Sequence, residues 1–144
     1  MRFVDLEPGD PRLGDDLLPV LAQLRTELTR ELLDAVYAEG HPQGLRFTAA
    51  YDEPGSCVAV AGWRLMATTV AIRKLYVDDL VTSAEHRSEG VGAALLAELA
   101  RRARDAGCRA IDLDSGLTRA DAHRFYIRER MTITSFHFAR ELGP

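Results

Sequence analysis

The stretch Arg87-Ser88-Glu89-Gly90-Val91-Gly92 decides the fold class, because it joins a strand pattern to a helix pattern through two glycines. Before it, residues 72–82 are rich in apolar, aromatic and β-branched side chains, which predicts a strand. After it, Val91, Leu95 and Leu99 recur at the spacing of one helical face. A strand, a glycine turn and a long amphipathic helix in this order are typical of α/β proteins.

The same stretch also predicts an anion site. Glycines at Gly90 and Gly92 would let a ligand approach the backbone closely. The first N–H groups of a helix have no partner within the helix, and the helix dipole adds positive charge there, so this geometry binds phosphate. The stretch lacks the Lys-Ser/Thr ending of a Walker A loop and the third glycine of a dinucleotide fingerprint. A tight strand-to-helix turn without a ligand explains these six residues equally well.

Working outward toward the N-terminus, the pattern predicts a first strand over residues 2–7 and two short helices. Asp15 is the expected N-cap of the first helix and Thr29 of the second, which we expect to end with Gly40 at its C′ position. Residues 45–51 and 57–65, separated by Asp52-Glu53-Pro54-Gly55, predict a β-hairpin.

Toward the C-terminus, the long helix ends at Gly107, and the pattern then predicts a strand over residues 109–113, a helix over 119–130 and a final strand over 131–139. We therefore expect an α/β (α+β) fold with a mixed sheet of about six strands and four helices packed on it. A length of 144 residues fits one domain, 1–144.

Composition narrows the classes of function. The formal net charge of −4 argues against nucleic-acid binding, and no run approaches the roughly 20 apolar residues of a membrane span. Acid and proline appear within the first eight residues, which does not fit a secretory signal, so we expect a cytoplasmic protein. Residues 1–72 carry six basic and eleven acidic side chains, against twelve and eleven in residues 73–144, which points to the second half for an anion. Cys57 and Cys108 lie far apart, and we expect free thiols.

Two motifs in order resemble the GNAT superfamily of N-acetyltransferases. Arg87-x-x-Gly90-x-Gly92 has the form of that family's acetyl-CoA loop, and Ala122-His123-Arg124-Phe125-Tyr126 is similar to its second conserved helix. The segments Lys74-Leu75-Tyr76-Val77-Asp78-Asp79-Leu80 and Leu113-Asp114-Ser115-Gly116 look like the bacterial branch similar to yeast histone- and polyamine-type enzymes. Two departures stand out: Arg119 replaces the usual Asn, and Arg130 replaces a Gly that would suit a left-handed turn.

The resemblance implies the GNAT fold and acetyl-CoA as co-substrate, with no metal. It implies that a backbone N–H near Val81 polarises the thioester carbonyl. The residues it implies for acetyl-CoA binding are Leu80, Val81, Thr82, Arg87, Ser88, Glu89, Gly90, Val91, Gly92, Ala93 and Arg119.

Acetyl transfer also needs an unprotonated amine and a proton for the departing thiolate. The resemblance implies Tyr126 as the acid, and the alternative is a core aromatic pair with Phe125. Asp78 and Asp79 are candidates for the base because they lie in the strand that approaches the acetyl group. A water chain is an alternative base, and both carboxylates could instead bind water or a cationic substrate.

We therefore expect an acyltransferase that moves an acetyl group by direct transfer to a primary amine, either a small cationic amine or a protein lysine. The acidic residues Glu27, Glu31 and Asp34 favour a cationic acceptor. The alternative is a non-catalytic coenzyme A-binding sensor or interaction module. An exposed final strand at a sheet edge would favour a homodimer. We expect no nucleic-acid or membrane partner, and hydrolase and metal-site motifs are absent from the sequence.

Overall fold

A five-stranded sheet carries the fold of a computed structural model that describes residues 1–144. Its strands are β1 (Arg2–Leu6), β2 (Arg46–Tyr51), β3 (Cys57–Met66), β4 (Lys74–Thr82) and β5 (Ala110–Leu113). The helices are α1 (Leu18–Leu21), α2 (Arg30–Gly40), α3 (Val91–Asp105) and α4 (Ala120–Arg128). The chain forms two compact units, Met1–Leu113 and Asp114–Pro144, and each is described separately.

The sheet of the first unit is mixed. Its strands follow the order β1-β2-β3-β4-β5; each neighbouring pair from β1 to β4 is antiparallel, and β5 is parallel to β4. The parallel step requires a crossover, which α3 provides. The predicted α/β fold is therefore confirmed, with five strands instead of about six. The β2–β3 hairpin forms as predicted, with Gly55 at φ +99° in its turn.

Two apolar clusters cover the two faces of this sheet. On one face, Phe47 and Val60 pack with residues of the segment before β2, including Leu17 and Tyr37. On the other face, Leu95 and Leu99 of α3 pack with strand residues such as Leu75. Successive strand side chains alternate between faces, so every central strand contributes to both clusters. The stripe of apolar residues predicted on α3 is thus its buried face.

A polar network ties α3 to the sheet beneath it. The Trp63 indole N–H donates to the Thr48 hydroxyl at 2.9 Å, and that hydroxyl donates to Asp5 at 2.7 Å. Arg102 of α3 donates to Asp5 at 2.6 Å and to Glu98 at 2.9 Å. Thr48 is fully buried, so these bonds satisfy a polar group that would otherwise destabilise the core.

The ends of helices α1 and α2 agree with one prediction and contradict two others. Thr29 does cap α2, accepting from the Leu32 N–H at 3.2 Å. Asp15 is not a cap, because residues Leu13–Leu17 already form a π-helical turn that leads into α1. Gly40 is the last residue of α2 and has φ −76°, so it is not a left-handed C′ residue. A side chain there would lie 2.9 Å from Leu45, so the glycine serves close packing instead.

The second unit contains α4 and, after it, residues 131–144 without regular secondary structure. The helix ends in a Schellman-type turn, in which the Met131 N–H donates to the Tyr126 carbonyl at 3.0 Å. Arg130 adopts φ +67° in this turn, so the left-handed turn forms although an arginine replaces the glycine that would suit it. The strand predicted over residues 131–139 is wrong: the segment has no regular structure, and Phe138 is 91% exposed. The unit contains no other strand, and an isolated strand has no backbone partners to hold it.

The two cysteines meet a further expectation. Cys57 and Cys108 are free, as predicted, and both are half-buried. Burial raises the pKa of the Cys57 thiol to about 12, which keeps it protonated and unreactive near neutral pH. None of the helices is long and apolar enough to cross a membrane.

We predict an acid-dependent contribution of Glu98 to stability. Hydrogen bonds from Arg101, and then from Arg102, lower the pKa of Glu98 to about 2 from 4.5. A lowered pKa stabilises the fold above pH 4.5, and this contribution is lost as the pH falls toward 2. Glu98→Gln should therefore lower the free energy of unfolding by roughly 1–2 kcal/mol at pH 7, measured by urea denaturation, and by less as the pH falls below 4.5.

The matched control is Asp34→Asn, which removes a pair between Arg30 and Asp34 whose side chains are 44% and 52% exposed. We expect it to change stability by less than about 0.5 kcal/mol. A Glu98→Gln effect of the same size at pH 7 and pH 3 would contradict the assignment.

Candidate active site

The pairing of β4 changes along its length. Its ladder with β5 runs from Lys74–Ala110 to Val77–Leu113 and stops there. Its ladder with β3 continues five residues further, to Thr82. Residues 78–82 therefore have a strand neighbour on one side only. Backbone N–H and C=O groups on the open side have no ladder partner, and such groups are available to a ligand.

A β-bulge lies at the point where β5 ends. Gly62 of β3 pairs with Asp79 and Trp63 pairs with Val77, so Asp78 is an extra residue in β4. The bulge changes which face the following side chains occupy. Val77 packs in the cluster under α3, whereas Val81 packs in the cluster on the opposite face.

Gly62 allows the carboxylate of Asp79 to fit at this bulge. A Cβ at position 62 would lie 2.9 Å from the Phe47 ring and 3.3 Å from Asp79 Oδ2. The carboxylate thus lies beside an aromatic ring, on the same face as Phe47, with its side chain only 16% exposed. A larger residue at 62 would displace the ring or the carboxylate.

Each of the two candidate bases is held by an arginine. Arg64 of β3 donates two hydrogen bonds to the Asp78 carboxylate, from Nε and Nη2, both at 3.0 Å. Arg25, in the segment between α1 and α2, donates from Nε to Asp79 Oδ1 at 2.8 Å. Its Nη2 lies 2.7 Å from the same oxygen and 3.3 Å from the Asp78 carbonyl oxygen. Two adjacent ion pairs therefore occupy the bulge.

Burial and charge act in opposite directions on Asp79. Desolvation raises the pKa of its carboxyl above the ordinary value, and the hydrogen bond and charge of Arg25 oppose that increase. The neighbouring Asp78 also raises this pKa, and Arg64 lowers it. Arg25 therefore opposes the effect of burial on the pKa of Asp79 and favours the ionised carboxylate.

Backbone N–H groups without partners line the turn between β4 and α3. None of the N–H groups of residues 88–93 donates a hydrogen bond, and the first helical bond is from Ala94 to the Gly90 carbonyl, at 3.0 Å. Gly90 caps α3 with φ +79°, and Ser88 also has a positive φ of 66°. A Cβ added at Gly90 would meet no atom within 4 Å, so the space above the turn is open. Unpaired N–H groups at the start of a helix are groups of the kind that can bind an anion.

The start of this turn is fixed by the segment that also carries Arg25. The Gln23 side-chain oxygen accepts from the Ala84 N–H at 2.9 Å, and its amide lies 3.5 Å from the Ser83 hydroxyl. The Ser83 N–H donates to Val58 of β3 at 2.8 Å. Within the turn, His86 Nδ1 lies 3.1 Å from Glu89. Arg87 is exposed, so its charge faces solvent beside the open N–H groups.

The remaining predicted site residues belong to the second unit. Tyr126 lies on α4 with its ring in edge-to-face contact with Phe125, at 5.2 Å between centroids. Burial raises the pKa of Tyr126, and the charge of Arg119 opposes that rise. The phenol is therefore protonated near neutral pH, as a proton donor must be. Arg119 is the exposed N-cap residue of α4, and its side chain makes no capping hydrogen bond.

Sequence reasoning missed the two arginines of the bulge. Arg25 is 54 residues from Asp79 in the chain and Arg64 is 14 residues from Asp78, so no local spacing joins them. Gly62 was also missed, although a glycine inside a strand pattern is a recognised signal of a bulge or a close approach.

A known protein family and a known relative match most of this chain. The model of the Acetyltransferase (GNAT) family matches residues 15–131. An uncharacterized N-acetyltransferase of Bacillus subtilis, YhdJ, is 36% identical over 127 residues, covering 85% of this chain and 87% of the relative. An aminoalkylphosphonate N-acetyltransferase of Salmonella typhimurium is 36% identical over 66 residues, covering 46% of this chain and 43% of the relative.

The fold has solved counterparts as well. An aminoglycoside N-acetyltransferase in complex with CoA superposes with a TM-score of 0.84 at 16% identity, covering 99% of this chain and 95% of that one. Fold and sequence together define an acyltransferase. The chain belongs to the GNAT family of acetyltransferases and is an enzyme.

We predict that Arg25 keeps the Asp79 pKa from rising further. In Arg25→Gln, loss of the hydrogen bond and of the positive charge should raise the pKa of Asp79 relative to the wild type, observed by NMR titration of its side-chain carboxyl. Arg12→Gln is the control, because Arg12 pairs with Asp10 instead. An Asp79 pKa that is unchanged or lower in Arg25→Gln would contradict this electrostatic assignment.

Proposed function

We propose that this enzyme transfers the acetyl group of acetyl-CoA directly to a primary amine. The observation that carries the proposal is the row of N–H groups without partners over residues 88–93, next to the open edge of β4. Such a row suits a diphosphate, and the open edge suits an extended chain bearing an amide and a thioester. The turn residues 87–93 and the edge residues Leu80, Val81 and Thr82 would hold acetyl-CoA.

The fit of the diphosphate follows from two features of the turn. Gly90 has open space above it and a left-handed backbone, so phosphate oxygens can reach the N–H groups. The α3 dipole adds positive charge at the same place. Val91 is buried among the α3 cluster and contributes through its backbone.

Acetyl-CoA supplies an activated thioester. In the transfer, a bond forms between the amine nitrogen and the acetyl carbon while the carbon–sulfur bond breaks. A backbone N–H near Val81 would stabilise the oxygen that gains charge, and Tyr126 would donate the proton that the thiolate takes up. The amine proton would leave to Asp78, Asp79 or a water chain. Because arginines hold both carboxylates, the water chain is the route favoured by these contacts.

The proposed acceptor is a primary amine, which is cationic when protonated. It belongs either to a small molecule or to a protein lysine. The partial match to an aminoalkylphosphonate N-acetyltransferase supports an amine acceptor. Of the acidic residues expected to attract it, Asp34 already pairs with Arg30, and Glu27 and Glu31 are exposed.

Three broader expectations remain predictions. The family match runs across the boundary between the two units, which supports one domain over residues 1–144. The sequence predicts a homodimer through a strand over residues 131–139, and this strand does not form. The homodimer is now supported by the exposed apolar side chains of the same segment. A cytoplasmic location is also a prediction.

We predict that Gly92→Val strongly weakens coenzyme A binding. Gly92 lies in the first turn of α3 without a left-handed φ, so a β-branched residue can fold there but would crowd a diphosphate on the N–H groups. Calorimetry should show at least a tenfold weaker affinity for CoA, with an unchanged circular dichroism spectrum. Ala97→Val places the same side chain on the exposed middle of α3 and should bind CoA normally. Equal affinities in the two variants would reject this site.

We predict a selective loss of turnover in Tyr126→Phe. The variant keeps the ring and its contact with Phe125 and removes only the hydroxyl. If the phenol protonates the thiolate, kcat should fall by about 10²–10⁴-fold with little change in acetyl-CoA affinity. The pH–rate profile should also lose its basic limb. A structural hydroxyl would instead lower the unfolding temperature and leave kcat within threefold of the wild type.

A further inference from the structure

We infer that Arg25 and Arg64 form a recognition site for an acidic group on the acceptor, so that the preferred substrate is a primary amine that also carries a carboxylate or phosphonate. The inference rests on the proposed function, because it concerns the acceptor of that reaction. It gives Asp78 and Asp79 the role of positioning residues, which hold the two guanidinium groups.

At the Arg25–Asp79 pair, the order of charges favours an anion from solvent, and the side chains of Arg64 and Asp78 are exposed to the same extent, 22% and 23%. The Arg25 side chain is 53% exposed, whereas that of its partner Asp79 is 16% exposed. An arriving molecule therefore meets the guanidinium first and the carboxylate behind it. A purely cationic acceptor would have to displace Arg25 to reach Asp79.

Both arginines retain free donors. Arg25 uses Nε and Nη2 for Asp79 and the Asp78 carbonyl, and Arg64 uses Nε and Nη2 for the Asp78 carboxylate. The Nη1 group of each arginine makes no hydrogen bond in the structure. A guanidinium has five N–H donors in a rigid fork, so it can bind one carboxylate and present further N–H groups to another acid.

The position of the pairs connects them to the reaction. Asp78 and Asp79 begin the part of β4 that has lost its β5 neighbour, the same edge proposed to hold the acetyl group. An acid bound by Arg25 would hold the other end of a short substrate at this edge. Such a contact adds binding energy and excludes amines without the acid.

The test is acetyl transfer to matched pairs of acceptors that differ only in the acid. β-Alanine is compared with β-alaninamide, 2-aminoethylphosphonate with propylamine, and spermidine represents polycationic amines. We expect kcat/KM of the wild type to be at least tenfold higher for the acidic member of a pair. Arg25→Gln and Arg64→Gln should each lower that ratio by about tenfold to a hundredfold, since a hydrogen bond to a charged group is lost.

Two further variants are a charge reversal, Arg25→Glu, and a control, Arg12→Gln. Arg25→Glu reverses the exposed charge and should shift the preference toward spermidine, whereas Arg12→Gln removes an arginine from a separate pair and should keep the wild-type ratio. A wild-type preference for the neutral or polycationic amines, or an equal loss on all acceptors in Arg25→Gln, would overturn the inference while leaving acetyl transfer intact.

A binding measurement separates this inference from the proposed function. Calorimetry on the CoA-loaded protein should detect the acidic amines, and Arg25→Gln should weaken them at least tenfold. That result supports the recognition site even without turnover. Bound acetyl-CoA without transfer to any amine would contradict the proposed function alone, and equal affinity for the acidic and neutral members of a pair would contradict the inference alone.

Discussion

The loss of backbone pairing along β4 is the constraint on which the rest of the site depends. β4 is held on both sides as far as Val77, and from residue 78 to Thr82 it is held by β3 alone. One strand thereby provides both a rigid base and an open edge of polar groups. The turn that follows leaves a second set of N–H groups free at the start of α3. A fold that paired β4 fully would leave only the N–H groups at the start of α3 for a ligand.

The bulge at Asp78 turns this open edge into a chemically distinct surface. Without the extra residue, the side chain of Asp79 would share the face of Val77, under α3, in an apolar cluster. The shift of one position places it beside Phe47, where Gly62 leaves the necessary space. Arg25 can reach it there from the segment between α1 and α2. Backbone irregularity, a glycine and two ion pairs are therefore parts of a single arrangement.

Local features of the sequence were sufficient for much of the fold. The Thr29 cap, the β2–β3 hairpin and the glycine turn into α3 depend on residues within a few positions of each other, and each forms as predicted. The arginine pairs and the bulge depend on contacts between distant segments, which periodicity does not encode. The strand predicted over residues 131–139 failed for the same reason, because alternation describes a side-chain pattern but supplies no neighbour for the backbone.

The chemistry of arginine explains how the bulge holds two carboxylates and still leaves N–H donors free. A desolvated carboxylate such as Asp79 would tend to take up a proton if it stood alone. Arg25 supports its ionised form, and the bond to Asp79 in turn fixes the guanidinium at the strand edge. A lysine in the same place would present a compact ammonium without the planar fork. It could not bind one carboxylate along one edge and present further N–H groups in the same plane. The two half-buried carboxylates thus determine where the guanidinium groups of Arg25 and Arg64 lie, whether or not either carboxylate takes part in a reaction.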